Sequence, residues 1–201
     1  MLHREREAVP GWCPVHVTLR VKANLPSLRN ARLVTEWRRS LAEASERGSF
    51  RVAHYSLLGD HAHLIVEAHG KHALACGMKS IGARLARAVN RANDSTGPVL
   101  DGRYHHRSLR TPREVRRALA YVLLNARRHL AKRRRLARGP TFLDPASSAR
   151  WFDGWQVQVP GCTPDASEPR EVARARSWLL RIGWRRHGLL DPAELLGAAP
   201  A

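Results

Sequence analysis

Between residues 15 and 22 (VHVTLRVK), Val15, Val17, Leu19 and Val21 alternate with His16, Thr18, Arg20 and Lys22, the two-residue period of a strand with one buried face. Ser27 then stands as a cap, and Val34, Trp37, Leu41 and Ala44 recur at helical spacing up to Gly48. FRVAHYSLL (50–58) and HAHLIVEA (61–68) are strand-like runs joined through Gly59 and Asp60, a link short enough for a hairpin. From 71 to 92, Met78, Ile81, Leu85 and Val89 form an apolar helical stripe, with Lys79, Arg84, Arg87 and Arg91 mostly off it. After the breaker NDSTGP, residues 103–109 (RYHHRSL) read as a short strand, and Thr111, Pro112 and Glu114 mark the start of a helix running to about Leu136. The order β-α-β-β-α-β-α predicts an α+β fold. Its natural closure is a ferredoxin-like split βαβ arrangement with a mainly antiparallel sheet, to which the last helix is added.

Residues 139–201 differ from the rest: they are neutral overall and rich in Pro and Gly, and they contain Trp151, Trp155, Trp178 and Trp184. Helical spacing reappears there only near 170–182. The chain is thus expected to divide into a main domain over 11–138 and a small C-terminal extension over 139–201, docked through its tryptophans and carrying no chemical motif.

Charge changes this picture most. Of the net +18 on 201 residues, fifteen positive charges lie between 70 and 138, within segments that also carry apolar periodicity. A folded basic surface of that kind points to a polyanionic partner, nucleic acid first among them. The run KRRR at 132–135 alone would fit a solvated face or a tail equally well. Cys13, Cys76 and Cys162 are widely separated and form no CxxC pair, so neither a disulfide framework nor a thiolate zinc site is indicated, and a reducing compartment is expected. MLHREREAVP lacks the apolar centre of a signal peptide and no run approaches ~18 apolar residues, so no membrane partner and a cytoplasmic location are expected.

Two constellations carry candidate chemistry. His61 and His63 flank Ala62 on the second hairpin arm, so both imidazoles point to one side of the sheet and can hold a metal ion. Histidine is common here, with 11 in the chain and His54, His69 and His72 close by, and an HxH pair by itself is also an ordinary strand feature. Tyr121 and Asn125 are four residues apart on the last predicted helix and share a face. At ~100° per residue, Tyr121 falls off the stripe formed by Val115, Leu119, Val122, Leu123, Ala126 and Leu130. It is expected instead beside Glu114, Arg117, Asn125 and Arg128.

These residues resemble the HUH endonucleases of the single-tyrosine transposase type, which include the insertion-sequence-200-like and REP-associated tyrosine transposases. The resemblance covers about residues 11–135. It rests on His61-Ala62-His63, on Tyr121 followed four residues later by Asn125, and on the stretch GPVLDGRYHHRSLRTPREVRRALAYVLLN. Ala62 stands where the family has a bulky hydrophobic residue, and Ala126 where it often has proline. The resemblance implies Tyr121 as nucleophile, and His61, His63 and Asn125 as ligands of a divalent metal, Mg²⁺ or Mn²⁺. It also implies single-stranded or hairpin DNA as substrate, cut through a 5′-phosphotyrosine intermediate. Arg84, Arg87 and Arg91, with Arg103, Arg107, Arg110, Arg117 and Arg128, are the candidate phosphate contacts. Both monomers and homodimers occur in the family. Two other readings are open from the sequence: a domesticated relative that grips hairpin DNA or RNA without cutting it, and a basic structural protein.

Overall fold

The computed structural model describes residues 9–134, 142–160 and 168–194. Among them, one antiparallel sheet runs in the order β2-β3-β4-β1-β5, built from β1 (Gly11–Arg20), β2 (Glu46–Arg47), β3 (Phe50–Leu57), β4 (His61–His69) and β5 (His105–Ser108). Helix α1 (Ala31–Ala42) joins β1 to the β2–β3 ribbon, and α2 (Gly70–Ala92) joins β4 to β5. Strand β4 therefore lies between β1 and β3, and β1 between β4 and β5, antiparallel throughout, which is the split βαβ closure the element order predicts.

The alternation of β1 fixes which face is which. Val15, Val17 and Leu19 pack with Ala62, Leu64 and Val66 of β4 into a core closed by Leu33, Trp37 and Leu41 of α1 and Leu74, Met78, Ile81 and Leu85 of α2. Burying each such side chain contributes roughly 1.5–3 kcal/mol, so this face carries most of the hydrophobic stabilisation. A β-bulge between Val52 and His54 lets Ala53 leave that core and join the opposite one. There α3 (Pro112–Arg134) packs Val115, Leu119, Val122 and Leu123 onto Ile65 of β4.

Several sequence expectations shift by a turn or more. Helix α1 begins after Asn30, whose side chain accepts from the Arg32 amide, because Ser27 spends its hydroxyl on the Arg29 amide in a preceding turn. The helix ends at Ala42 rather than near Gly48, since the chain then forms β2 and reverses through Gly48 at φ +51°. Strand β1 begins at Gly11, four residues before the alternating run. The predicted end of the last helix near Leu136 lies outside the described residues, whereas its start matches: Thr111 and Glu114 exchange hydrogen bonds in a capping box.

Residues 142–160 and 168–194 fold back onto the sheet and α3. Asp144 takes a bidentate bond from Arg29, at 2.7 and 3.0 Å, and the buried Glu67 of β4 accepts from the amides of Arg176 and Ser177 at 2.8 and 2.7 Å. Leu180 and Trp184 complete the core over α3, and Arg127 donates to the Pro192 carbonyl. The helical spacing near 170–182 yields only the short α4 (Trp178–Arg181), because the Ala173 amide bonds Val52 of β3 and the amides of Arg176 and Ser177 are drawn to Glu67. No helix of the described residues is long and apolar enough to cross a membrane.

Candidate active site

The sheet face opposite α1 and α2 carries the polar members of the central strands. Across β4, β1 and β5, the register sets His63 opposite Thr18 and Thr18 opposite His105. The neighbouring row sets Ile65 opposite His16 and His16 opposite Arg107, and His61 lies opposite Arg20. Helix α3 lies over this face and brings Tyr121 to it. The phenol ring meets the His63 ring edge-on with centroids 5.0 Å apart, and the His16 ring at 5.7 Å. The rings of His61 and His63 stand 4.8 Å apart. Residues from His16 to Tyr121, far apart in the chain, thus form one cluster.

Both imidazoles of the HxH pair are held through Nδ1. His61 Nδ1 lies 2.6 Å from Asp60 Oδ1, and this hydrogen bond, with the nearby positive charge, holds the Asp60 carboxyl below its ordinary range. His63 Nδ1 lies 3.1 Å from Thr18 Oγ1 and 3.2 Å from His16 Nε2. Burial, reinforced by the Arg107 guanidinium, pushes His16 down to about 4, so it is neutral at ordinary pH and its Nε2 can accept from His63 Nδ1–H. In that tautomer, each member of the pair keeps the Nε2 lone pair for a ligand, as in metal sites where the far ring nitrogen is fixed by a protein acceptor.

Tyr121 is half-buried, packed against the core that α3 forms with the sheet and the C-terminal extension. Asn125, one turn further along, is 2% exposed, and its amide nitrogen has no hydrogen-bond partner among the described residues. A buried donor left so carries a cost of ~1–3 kcal/mol, which a bound acceptor would relieve. His, Cys, Asp and Glu do not assemble a three-residue cation set among the described residues. Among the described residues, the Asn125 carboxamide oxygen is of a suitable chemistry to join the imidazoles on Mg²⁺ or Mn²⁺.

The arginines divide between the two faces. Arg107 lies in the site's register, bonded to Glu114 at 3.0 Å; Arg103, Arg110 and Arg117 are exposed around β5 and the start of α3. Arg84, Arg87 and Arg91 stand on α2, across the sheet from Tyr121, where Arg84 pairs with Glu43 and Arg91 with Glu36 of the α1 side. The structure does not bring these three to the tyrosine. The Arg128 side chain lies outside those described. The sequence reading missed His16, Thr18, Arg20 and His105. The signal for the first three was the polar half of the β1 alternation, but only the pairing register shows that they and His105 of β5 share a face with the HxH pair.

No protein-family description matches this chain, and no curated protein matches it in sequence. Among solved structures, the chain is similar to a REP-associated tyrosine transposase bound to a REP hairpin. The TM-score is 0.52 and the identity 15%, over 64% of this chain and 74% of that one. The likeness is one of fold: an α+β architecture on a five-stranded antiparallel sheet, shared with a protein whose structure was solved on hairpin DNA.

Proposed function

We propose that this chain is a single-tyrosine strand transferase that binds hairpin or single-stranded DNA and cleaves it with a divalent metal. The observation that carries the reading is the meeting of the Tyr121 ring with His63, itself beside His61, on the face that α3 covers. The fold likeness to a hairpin-bound tyrosine transposase supports it, as does the basic stretch that ends in α3.

His61 and His63 through Nε2, with the Asn125 carboxamide oxygen, would hold Mg²⁺ or Mn²⁺. Such an ion neutralises charge on a nonbridging phosphate oxygen and makes the phosphorus a better electrophile. The chain's own residues do the rest. The Asn125 amide nitrogen is a buried donor suited to a phosphate oxygen, and Arg107, Arg103 and Arg117 hold flanking phosphates. The Tyr121 phenol oxygen attacks the phosphorus and loses its proton as the new P–O bond forms. The bond from phosphorus to the 3′ oxygen breaks, and that oxygen leaves with a proton as a 3′-OH. The 5′-phosphotyrosine conserves the phosphodiester energy for rejoining, so no nucleotide cofactor is consumed.

The test is incubation with Mn²⁺ and a pool of hairpin oligonucleotides bearing single-stranded flanks. Wild type is expected to form a covalent adduct that survives denaturing electrophoresis. Chelator abolishes the adduct, and Tyr121→Phe abolishes it while retaining binding. A Tyr121→Phe protein that still forms the adduct removes the assignment. Tight hairpin binding by wild type with no adduct under any divalent ion makes the chain a non-cleaving hairpin binder.

A further inference from the structure

Strand β3 lends a hydroxyl to the face that carries the HxH pair. Tyr55 and Leu57, on either side of Ser56, enter the core under α1 and α2, so the alternation of the strand turns Ser56 to the opposite face. The β3–β4 register sets Ser56 directly opposite His63, and the row across this face reads Ser56, His63, Thr18 and His105. Ser56 is 1% exposed, and its hydroxyl has no hydrogen-bond partner among the described residues. Hydroxyls around it are satisfied. Ser147 donates to the Asp144 carbonyl at 2.9 Å, Ser148 accepts from the Tyr55 amide at 2.9 Å, and Thr18 Oγ1 meets His63. The Asn125 amide nitrogen, on the turn of α3 after Tyr121, shares the condition of Ser56, and α3 packs on β3 as well as on β4. Buried polar groups are rarely left unpaired, so two of them on the elements that surround His63 mark a place prepared for a polar occupant.

Imidazole geometry gives the side of His63 on which that place lies. Nδ1 and Nε2 sit on opposite edges of the ring, and Nδ1 is turned to Thr18 and His16 of β1. Strands β1 and β3 flank β4 on opposite sides, so Nε2 leans toward β3, where Ser56 stands. A seryl hydroxyl is a hard, neutral oxygen donor of the kind that Mg²⁺ and Mn²⁺ accept beside a carboxamide oxygen.

We propose that Ser56 is a further metal-binding residue of this site: its hydroxyl and the Asn125 carboxamide oxygen form the oxygen side of the divalent-ion site, facing the two imidazoles. The inference rests on the metal-dependent function proposed above. It adds a residue that no short window of sequence shows, because Ser56 meets His63 only through the hairpin register.

The experiment titrates Mn²⁺ into the full chain by calorimetry and records Tm with and without the ion. Ser56→Ala is expected to bind Mn²⁺ ~10-fold or more weakly. Its metal-free Tm is expected to stay at or above the wild-type value, because an unsatisfied hydroxyl has left the interior. Ser56→Cys supplies the readout that packing alone would not move. It is expected to lose Mn²⁺ affinity and to bind Cd²⁺ ~10-fold or more tightly than wild type, the thiols already present being common to both proteins. Unchanged Mn²⁺ affinity in Ser56→Ala overturns the inference and leaves the metal reading standing. A fall in its metal-free Tm, with no gain of Cd²⁺ by Ser56→Cys, assigns the serine to packing and overturns the inference too. A wild-type protein that takes up no divalent ion removes the metal reading, and this inference with it.

Discussion

Glu67→Gln provides the sharpest test of how the C-terminal extension is held. Glu67 is fully buried on β4 and accepts from two backbone amides, Arg176 at 2.8 Å and Ser177 at 2.7 Å; Arg51, buried beside it, approaches to 4.0 Å. A glutamine keeps one carbonyl oxygen and puts an –NH₂ where the second amide points, so one donor loses its acceptor, and Arg51 loses the carboxylate buried with it while keeping Glu46 at 3.3 Å. Hydrogen bonds to charged groups contribute ~1.5–3 kcal/mol, and removing one partner of a buried ion pair costs ~3–5 kcal/mol. Since one bond survives, the expected loss is about 3 kcal/mol. For a chain of this size that is a fall in Tm of roughly 6–12 °C. Differential scanning calorimetry reads it, with Asp94→Asn as control, because the Arg32–Asp94 pair is exposed and its loss should leave the midpoint unchanged. A Glu67→Gln midpoint within ~1 °C of wild type would refute the claim that this carboxylate anchors the extension.

Thr18→Val removes the Oγ1 atom that lies 3.1 Å from His63 Nδ1 while keeping side-chain shape, and should weaken Mn²⁺ binding ~10-fold or more by calorimetry without lowering Tm. Unchanged affinity would show that the threonine does not orient the imidazole. Arg103→Gln/Arg117→Gln should weaken hairpin binding and reduce the slope of log affinity against log salt by ~2, whereas Arg87→Gln, on the far face, should leave the slope alone. Equal effects would mean that the DNA wraps both faces. Burial alone would raise the Glu114 carboxyl, but the amides of Arg110 and Thr111 and the Arg107 guanidinium hold it below its ordinary value. Its contribution is therefore present above the unfolded-state value near ~4.3 and is lost as pH falls through the lower folded-state value. Urea unfolding should accordingly show wild type losing its advantage over Glu114→Gln in that acid window; a constant gap would contradict the assignment.

Local chemistry was well written in the sequence. The Val15–Leu19 alternation, the link at Gly59 and Asp60 and the Thr111–Glu114 capping box each act within a few residues, so strand, hairpin and helix start could be read directly. Tyr121 and the HxH pair were legible as residue types in the right elements. Their meeting depends on which face α3 covers, which is set by the bulge at Ala53 and by Ile65, non-local facts that no short window contains. The same limit explains the arginines of α2: a helical wheel shows them off the apolar stripe, but not that α1 supplies Glu36 and Glu43 to pair Arg91 and Arg84. The extension was the least legible part. Its fold is dictated by partners elsewhere in the chain, Arg29 for Asp144 and Glu67 for the amides before α4, rather than by its own periodicity.

The central claim is that the Tyr121 oxygen reaches a phosphorus held beside His61 and His63. Mass spectrometry of peptides from the Mn²⁺-dependent DNA adduct tests it most directly. The account predicts a nucleotide mass on the peptide containing Tyr121 and on no other, lost when His61 and His63 are replaced by alanine. A nucleotide located on Tyr104 or Tyr55, or an adduct that forms undiminished in the double-alanine protein, would contradict it.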